Sequence, residues 1–397
     1  MKADAATPIA RNRHILVSAL GVTQILAWGS SYYLPAVLAT PIAADTGWTL
    51  ASVVAGLSCG LLLAGLVSPI TGRLIQRHGG RPVLAASSLF LAGAHLLMAT
   101  ATAYPFYLLA WLLMGLGMSG GLYDAGFATL GRLYGQGARG AITNLTLFGG
   151  FASTVCWPLS AFLVEHGGWR MACLSYAIIH LLICLPLHLW VIPPPPALAS
   201  PSRRAGQARA SLLGPARARF ILLASIQTVA ALIASMLSVH LLTLLQFRGV
   251  SLAAAVGLGA LIGPSQVGAR VAEMLIGRNR HHPIWTMLTS VSLLAAGIWL
   301  LLASQTMVAL ALILYGAGNG IHTIARGALP LVLFDPQQYA ALMGRLATPS
   351  LIVQAAAPSV GAVLLGMGGG NLVLTTLALA ATVNVGLCAG LVAIVRR

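Results

Sequence analysis

The feature that most constrains this chain is a succession of twelve apolar runs. They cover about 15–38, 49–71, 83–103, 106–130, 141–163, 170–192, 220–245, 252–275, 284–303, 306–332, 346–367 and 372–395. A helix crossing a bilayer needs ~20 mostly apolar residues. In lipid every backbone N–H and C=O must be satisfied within the protein, and an apolar run of this length does so as a helix. Charged residues make up only 7% of the chain, against about 25% in soluble domains. The expected fold class is therefore an all-α integral membrane protein with twelve transmembrane helices. Only Tyr104-Pro105 separates the third run from the fourth. The first run follows Lys2, Arg11 and Arg13 and has no small-residue cleavage site behind it, so it reads as a retained helix rather than a signal peptide.

The net charge of +16 is a topological signal. With the N-terminus inside, eighteen Lys and Arg fall on the cytoplasmic side and two, Arg170 and Arg248, on the other. That bias follows the positive-inside rule and places both termini in the cytoplasm, with the basic loops against anionic lipid headgroups. Nucleic-acid binding is excluded, since no soluble basic domain exists to carry it. The five cysteines all lie in apolar runs and lack CxxC spacing, so neither a disulfide framework nor a zinc site is expected.

The longest connection, 193–219, opens with four prolines and continues with Ala, Ser, Gly and Arg. It reads as a cytoplasmic linker between a bundle of six helices at 1–192 and a second at 220–397. The two halves repeat at an offset near 201: Gly56 with Gly257, Pro82 with Pro283, Gly115 with Gly316, Gly117 with Gly318 and Gly126 with Gly327. Six crossings per half make the repeat parallel, which gives two bundles able to rock against each other.

Between the second and third runs lies GRLIQRHGGRPVL, residues 72–84. Gly72, Leu74, Arg77, Gly79, Arg81, Pro82, Val83 and Leu84 resemble the helix 2–3 loop signature of the major facilitator superfamily (MFS), Gly-x-Leu-x-Asp-Arg-x-Gly-Arg-Arg/Lys. That family also has twelve helices in two six-helix halves. Gln76 stands where the family has Asp, and Gly80 where it commonly has a basic residue. In the family the Asp helps latch the halves on the cytoplasmic side. The resemblance implies that Gly72, Gln76, Arg77, Gly79 and Arg81 form a cytoplasmic gate whose latch is weaker or uses other residues.

Polar groups at membrane depth are costly and mark functional sites. Four charges lie inside runs: Asp124, Arg270, Glu273 and Arg326. Gln266, Arg270 and Glu273 share one face of the eighth helix by spacing, as do Asn319, His322 and Arg326 of the tenth. Gln24, Trp28, Ser31 and Tyr32 align on the first, beside Tyr33, and Ser350 aligns with Gln354 on the eleventh. In the MFS fold helices 1, 4, 7 and 10 line the central path, helped by 2, 5, 8 and 11, so the resemblance implies that these faces meet the substrate. Each position has a plainer role. Arg270 with Glu273 fits an intrahelical ion pair as well as a substrate contact. Arg326 fits a gate with Asp124, whose repeat equivalent falls at 325, or a substrate contact, or simple pairing. His95 and His180 sit on scaffold helices and read as packed or hydrogen-bonded. His322 is the better proton-responsive candidate, because a histidine near 6.5 needs only a small shift to change charge.

An arginine in the eighth helix suits an oxyanion through its planar fork. Residues 148–170, ending in Glu165-His-Gly-Gly-Trp-Arg170, resemble the monocarboxylate and oxalate/formate branch of the MFS, which also uses an arginine in helix eight. The sequence reading is thus a secondary transporter of the bacterial inner membrane, working by alternating access on a small organic anion, with a proton as candidate co-substrate through Asp124 or His322. Efflux of a drug or metalloid is the alternative. A monomer with no cofactor is expected, its partners being substrate, proton and lipid. An enzyme is disfavoured, since the sequence has no HExxH, no P-loop and no acidic pair to hold a metal. A sensor would carry a soluble output domain, and the longest loop is only 193–219.

Overall fold

A computed structural model describes residues 13–194, 214–277 and 281–396. Most of the expected linker, the repeat turn at Arg278 and Arg280, and the terminal cations Lys2, Arg11 and Arg397 lie outside the described residues. Within them every regular element is a helix. The chain divides into two compact units, Met1–Ala197 and Leu198–Arg397.

In the first unit, the run at 15–38 does not form one straight helix. Helix α1 (Arg13–Ser30) ends at a turn and α2 (Pro35–Thr46) follows. Pro35 has no N–H to give, and it restricts the backbone of Leu34. The chain adapts: Tyr33 N–H bonds Trp28 O at 3.0 Å and Leu34 N–H bonds Ser31 O at 3.2 Å. Ser31 and Tyr32, expected on the helical face, therefore sit in this turn.

Helix α3 (Leu50–His78) starts at Thr49, whose side chain caps Ser52 N–H, and stops at Gly79 with φ 79°. Only glycine takes that conformation cheaply. Helix α4 (Gly80–Thr100) leaves at once, with Gly80 packed against Thr129 where a methyl group would collide. The fourth run is cut into α5 (Tyr104–Gly121) and α6 (Tyr123–Tyr134) by the extended residue Leu122. After a single 3-10 turn come α7 (Arg139–Gly149) and α8 (Ala152–Ile179). Gly168, with φ 75°, breaks α8 where the fifth run gives way to the sixth. A π-helical turn, His180–Cys184, joins α8 to α9 (Leu185–Trp190).

The second unit holds α10 (Pro215–Phe247), α11 (Leu252–Gly259), α12 (Ile262–Gly277), α13 (Pro283–Ala303), α14 (Val308–Leu333) and α15 (Tyr339–Arg396). Helix α15 is interrupted at Gly368 and Gly369, the latter at φ 65°.

Among the described residues, nine helical stretches are long and apolar enough to cross a membrane. Two are far longer than one crossing: Tyr104–Trp190 has 87 residues and Pro336–Arg396 has 61. At ~1.5 Å per residue each exceeds a ~30 Å hydrocarbon core several times over. Large apolar side chains face outward, among them Trp190 at 81% and Leu182 at 71% exposure, a surface suited to lipid rather than water.

Two of the repeated glycine pairs now have a physical basis, whereas Gly56 packs on Trp111 and its counterpart Gly257 meets nothing within 4 Å. A Cβ at Gly115 of α5 would strike the backbone of Gly60 on α3, and one at Gly316 of α14 would lie 2.9 Å from Ile262 O of α12. Two residues on, a Cβ at Gly117 would press Leu91 of α4, and one at Gly318 would lie 2.7 Å from Leu294 N of α13. In each unit one helix thus uses the same glycine pair to approach two neighbours at backbone distance. Small residues allow this in membrane bundles, where close packing replaces the hydrophobic effect between helices.

Candidate functional site

The first unit gathers aromatic rings around the break in its first run. Trp28 lies 5.4 Å from Tyr32, 6.0 Å from Tyr33 and 5.1 Å from Tyr123, ring centre to ring centre. Tyr33 reaches Trp157 of α8 at 6.1 Å, and Tyr123 stacks on Phe127 at 5.3 Å. Tyr123, Phe127 and Trp157 were not singled out from the sequence. They lie on two segments, α6 and α8, and only the fold brings these to the rings of the first run.

Two polar atoms of α1 stand out in this surface. Gln24 is fully buried and donates through Nε2 to Gly121 O at 2.6 Å, at the α5–α6 junction. Its Oε1 and the indole nitrogen of Trp28, one turn on, are buried with no hydrogen-bond partner. Buried polar atoms are nearly always paired. An acceptor and a donor left open on one helical face suit a ligand or water with complementary groups.

Asp124 is half-buried in the first turn of α6. The break at Leu122 creates a helix N-terminus there, and its partial positive charge favours a carboxylate. The same break thus positions the acid and makes it tolerable in an apolar run.

The second unit brings its polar residues to the crossing of α12 and α14. Gly320 packs directly on the backbone of half-buried Gln266. One turn later Arg270, only 4% exposed, lays its guanidinium on α14, donating through Nε to Gly320 O at 3.2 Å and through Nη2 to Thr323 Oγ1 at 3.4 Å. Glu273 accepts from Thr286 Oγ1 at 2.8 Å and lies 3.5 Å from His281 Nε2. Asn319 and Arg326 are half-buried on α14. His322 is buried and turned to α13, with Nδ1 3.2 Å from Ser290 Oγ.

On α15 the carbonyl of Gln354 accepts from Ser235 Oγ at 3.1 Å. Pro358, four residues on, cannot supply the usual helical N–H. Gln227 of α10 was overlooked: it is 3% exposed and its Nε2 is buried without a partner. It stands 203 residues after Gln24, close to the repeat offset, and that was the signal available for it.

The basic turn at 72–84 is built around a backbone acceptor. Arg132, in the last turn of α6, donates through Nη1 to the main-chain carbonyl of Gln76. Gly72 and Gly79 are buried, Arg73 and Arg77 exposed, and Arg81 half-buried. Arg13 donates to Gly137 O at 2.9 Å and lies 5.1 Å over the Tyr134 ring, which ties α1 to the end of α6.

Comparison with known proteins gives a consistent family. A search of curated protein sequences finds no match. Among solved structures, the human organic anion transporter MFSD10 (TETRAN) aligns with TM-score 0.73 at 18% identity, covering 96% of this chain and 100% of its own. The proton:xylose symporter XylE, bound to 6-bromo-6-deoxy-D-glucose, aligns with TM-score 0.71 at 12% identity, over 95% of both chains. The E. coli fucose:proton symporter FucP aligns with TM-score 0.72 at 15% identity, over 96% of this chain and 99% of its own. At these identities the likeness is one of fold. The sequence model described as Major Facilitator Superfamily matches residues 20–280, well over half of the chain, and the chain belongs to that superfamily.

Proposed function

We propose that this multi-pass membrane transporter moves a small organic anion by alternating access, with proton coupling. The observation that carries the anion assignment is Arg270. A guanidinium only 4% exposed within an apolar run is expensive, and a planar fork matched to carboxylate geometry gives it a use. MFSD10 is an organic anion transporter, which agrees with this reading, and two other structural neighbours are proton symporters. The rings about Trp28 and the open Gln24 and Trp28 atoms favour an anion with a flat or apolar body and a polar substituent. The same rings give a second reading, export of an aromatic toxic compound.

The topology proposed is twelve crossings in a bacterial inner membrane, with both termini cytoplasmic and the linker 193–219 joining bundles 1–192 and 220–397. The charge asymmetry and the breaks at Gly168 and Gly368-Gly369 support it. Gln24, Trp28, Tyr32, Tyr33, Gln266, Arg270, Asn319 and Gln354 are the substrate contacts in this reading. Asp124 with Arg326, and the turn bearing Gln76, Arg77 and Arg81, serve gating, and His322 is a candidate proton site. The protein acts as a monomer among lipids that meet its arginines.

The test is uptake into proteoliposomes under an imposed pH gradient. A panel of aliphatic and aromatic carboxylates is compared with neutral sugars and with cationic aromatic dyes. Transport of at least one carboxylate, stimulated by the gradient, is expected. Movement of dyes alone would replace the anion reading with the efflux reading.

A further inference from the structure

Away from the residues assigned to substrate, three buried histidines of the first unit collect behind the break in its first run. His95 of α4 is fully buried, with Nδ1 2.7 Å from Leu91 O and Nε2 3.0 Å from Ser30 O. His180 opens the π-helical turn and is 1% exposed. Its Nε2 lies 2.8 Å from Ser30 Oγ, while its Nδ1 is buried without a partner. The His95 and His180 rings are stacked at 5.8 Å, and Tyr176 flanks His95 at 5.6 Å. His188, one level away, bridges Ser88 Oγ at 2.9 Å and Thr23 Oγ1 at 3.1 Å.

The geometry at His95 is chemically demanding. A backbone carbonyl oxygen only accepts, so each ring nitrogen must carry a hydrogen to bond it. Neutral imidazole has one such hydrogen and imidazolium has two. In the neutral ring a nitrogen lone pair therefore faces a carbonyl oxygen, and one contact must be given up.

The Ser30 carbonyl is also no ordinary acceptor. It closes the C-terminal end of α1, and the Leu34 N–H that a continuous helix would bring to it bonds Ser31 O instead. A cation is favoured at a helix C-terminus, where the unsatisfied carbonyls concentrate negative potential.

Both ring nitrogens of His95 meet main-chain carbonyls rather than a carboxylate. The titratable groups on the elements packed about α4 are Tyr176, Cys156 and Cys173 of α8, His180 and Cys184 of the π turn, His188 of α9, Tyr104 and Tyr107 of α5, Cys59, Arg73, Arg77 and His78 of α3, and Tyr123, Asp124, Arg132 and Tyr134 of α6. Glu165, His166 and Arg170 belong to the turn of α8 around Gly168, Arg13 and His14 to the far end of α1, and Arg81 to the far end of α4.

We propose that His95 is a proton-binding site, held between the Leu91 and Ser30 carbonyls, whose occupancy sets the conformation of the α1–α2 break. When His95 binds a proton, the doubly donating ring pins the end of α1. When the proton leaves, one carbonyl contact is lost and the turn carrying Tyr32 and Tyr33 is freed to move against Trp28. His180, joined to the same serine through its hydroxyl, offers the vacant Nδ1 to which the departing proton can pass. The site extends the proton coupling proposed above, but its protonation can be read without any transport, so the two ideas fail separately.

The test is nuclear magnetic resonance of the full chain in detergent micelles with ¹⁵N-labelled histidine rings, titrated across the pH range in which the protein stays folded. The expected result is one imidazole that carries hydrogens on both nitrogens at the acid end, loses one as pH rises, and is absent from His95→Gln. Trp28 fluorescence should change with the same midpoint, and that change should vanish in His95→Gln. If that variant does not fold, His180→Gln identifies His95 as the ring whose signals move when its stacked neighbour is removed. A His95 ring with a single hydrogen at every pH would overturn the proposal. So would a titrating ring with no accompanying change at Trp28.

Discussion

Replacing Gly318 by alanine tests whether the repeated glycines hold the bundle together. A Cβ there would lie 2.7 Å from Leu294 N, 2.8 Å from Ser290 O and 3.0 Å from Leu294 Cγ. Ordinary carbon contacts fall near 3.5 Å, so α13 and α14 would have to part by roughly 0.7 Å. Two of the three atoms are backbone and cannot rotate aside. Overpacking of this kind costs about 1–3 kcal/mol, while alanine recovers at most ~1 kcal/mol of helix propensity. Even after that full recovery the net loss reaches about 2 kcal/mol, seen as a lower melting temperature in detergent by intrinsic fluorescence. Gly386→Ala is the matched control: it lies within α15, where an added Cβ would meet nothing within 4 Å. It should be neutral or slightly stabilising. Equal melting temperatures for the two variants would refute the argument that close approach, rather than chance composition, accounts for the repeat.

Other consequences concern gating and the acid. Gln76→Asp places a carboxylate beside Arg132, which already donates to the residue 76 carbonyl. It should add up to ~1 kcal/mol of stability, the range of a modest ion pair, seen as a higher melting temperature, and slow turnover; unchanged kinetics would contradict this. Asp124→Arg and Arg326→Asp should each abolish uptake, and the double exchange should restore part of it if the two residues gate together. Two inactive singles with an inactive double would assign them separate roles. Gly79→Ala forces a side chain into φ 79° and should destabilise the α3–α4 turn by roughly 1 kcal/mol or more, measurable in the same melting assay.

Much of this arrangement is readable from the sequence, and the exceptions share a cause. Apolar runs mark helices because lipid leaves the backbone no other partner, and Gly115, Gly117, Gly316 and Gly318 mark contacts because only their size allows them. Pro35 carried a local signal for the break after Ser30, yet the run at 15–38 reads straight through it, because proline within a membrane helix often costs no break. Helical spacing groups Arg270 with Gln266 and Glu273, and packing adds that its guanidinium lies on α14. It groups His322 with Asn319 and Arg326, and packing adds the contact to Ser290 of α13. Spacing says which residues share a side of a helix, not which neighbour that side meets. Tyr123 joins Trp28 and Trp157 joins Tyr33 only through tertiary packing, and nothing local to either residue announces it.

The central claim is that Arg270 binds the carboxylate of a transported anion. The direct measurement is equilibrium binding of an anion identified by the uptake panel to the purified wild type, Arg270→Lys and Arg270→Gln. A hydrogen bond to a charged group contributes about 1.5–3 kcal/mol, so Arg270→Gln should weaken binding by roughly 10- to 150-fold. Lysine, with charge but no planar fork, should fall between. All three should melt as folded protein. Undiminished binding to a folded Arg270→Gln would contradict the account.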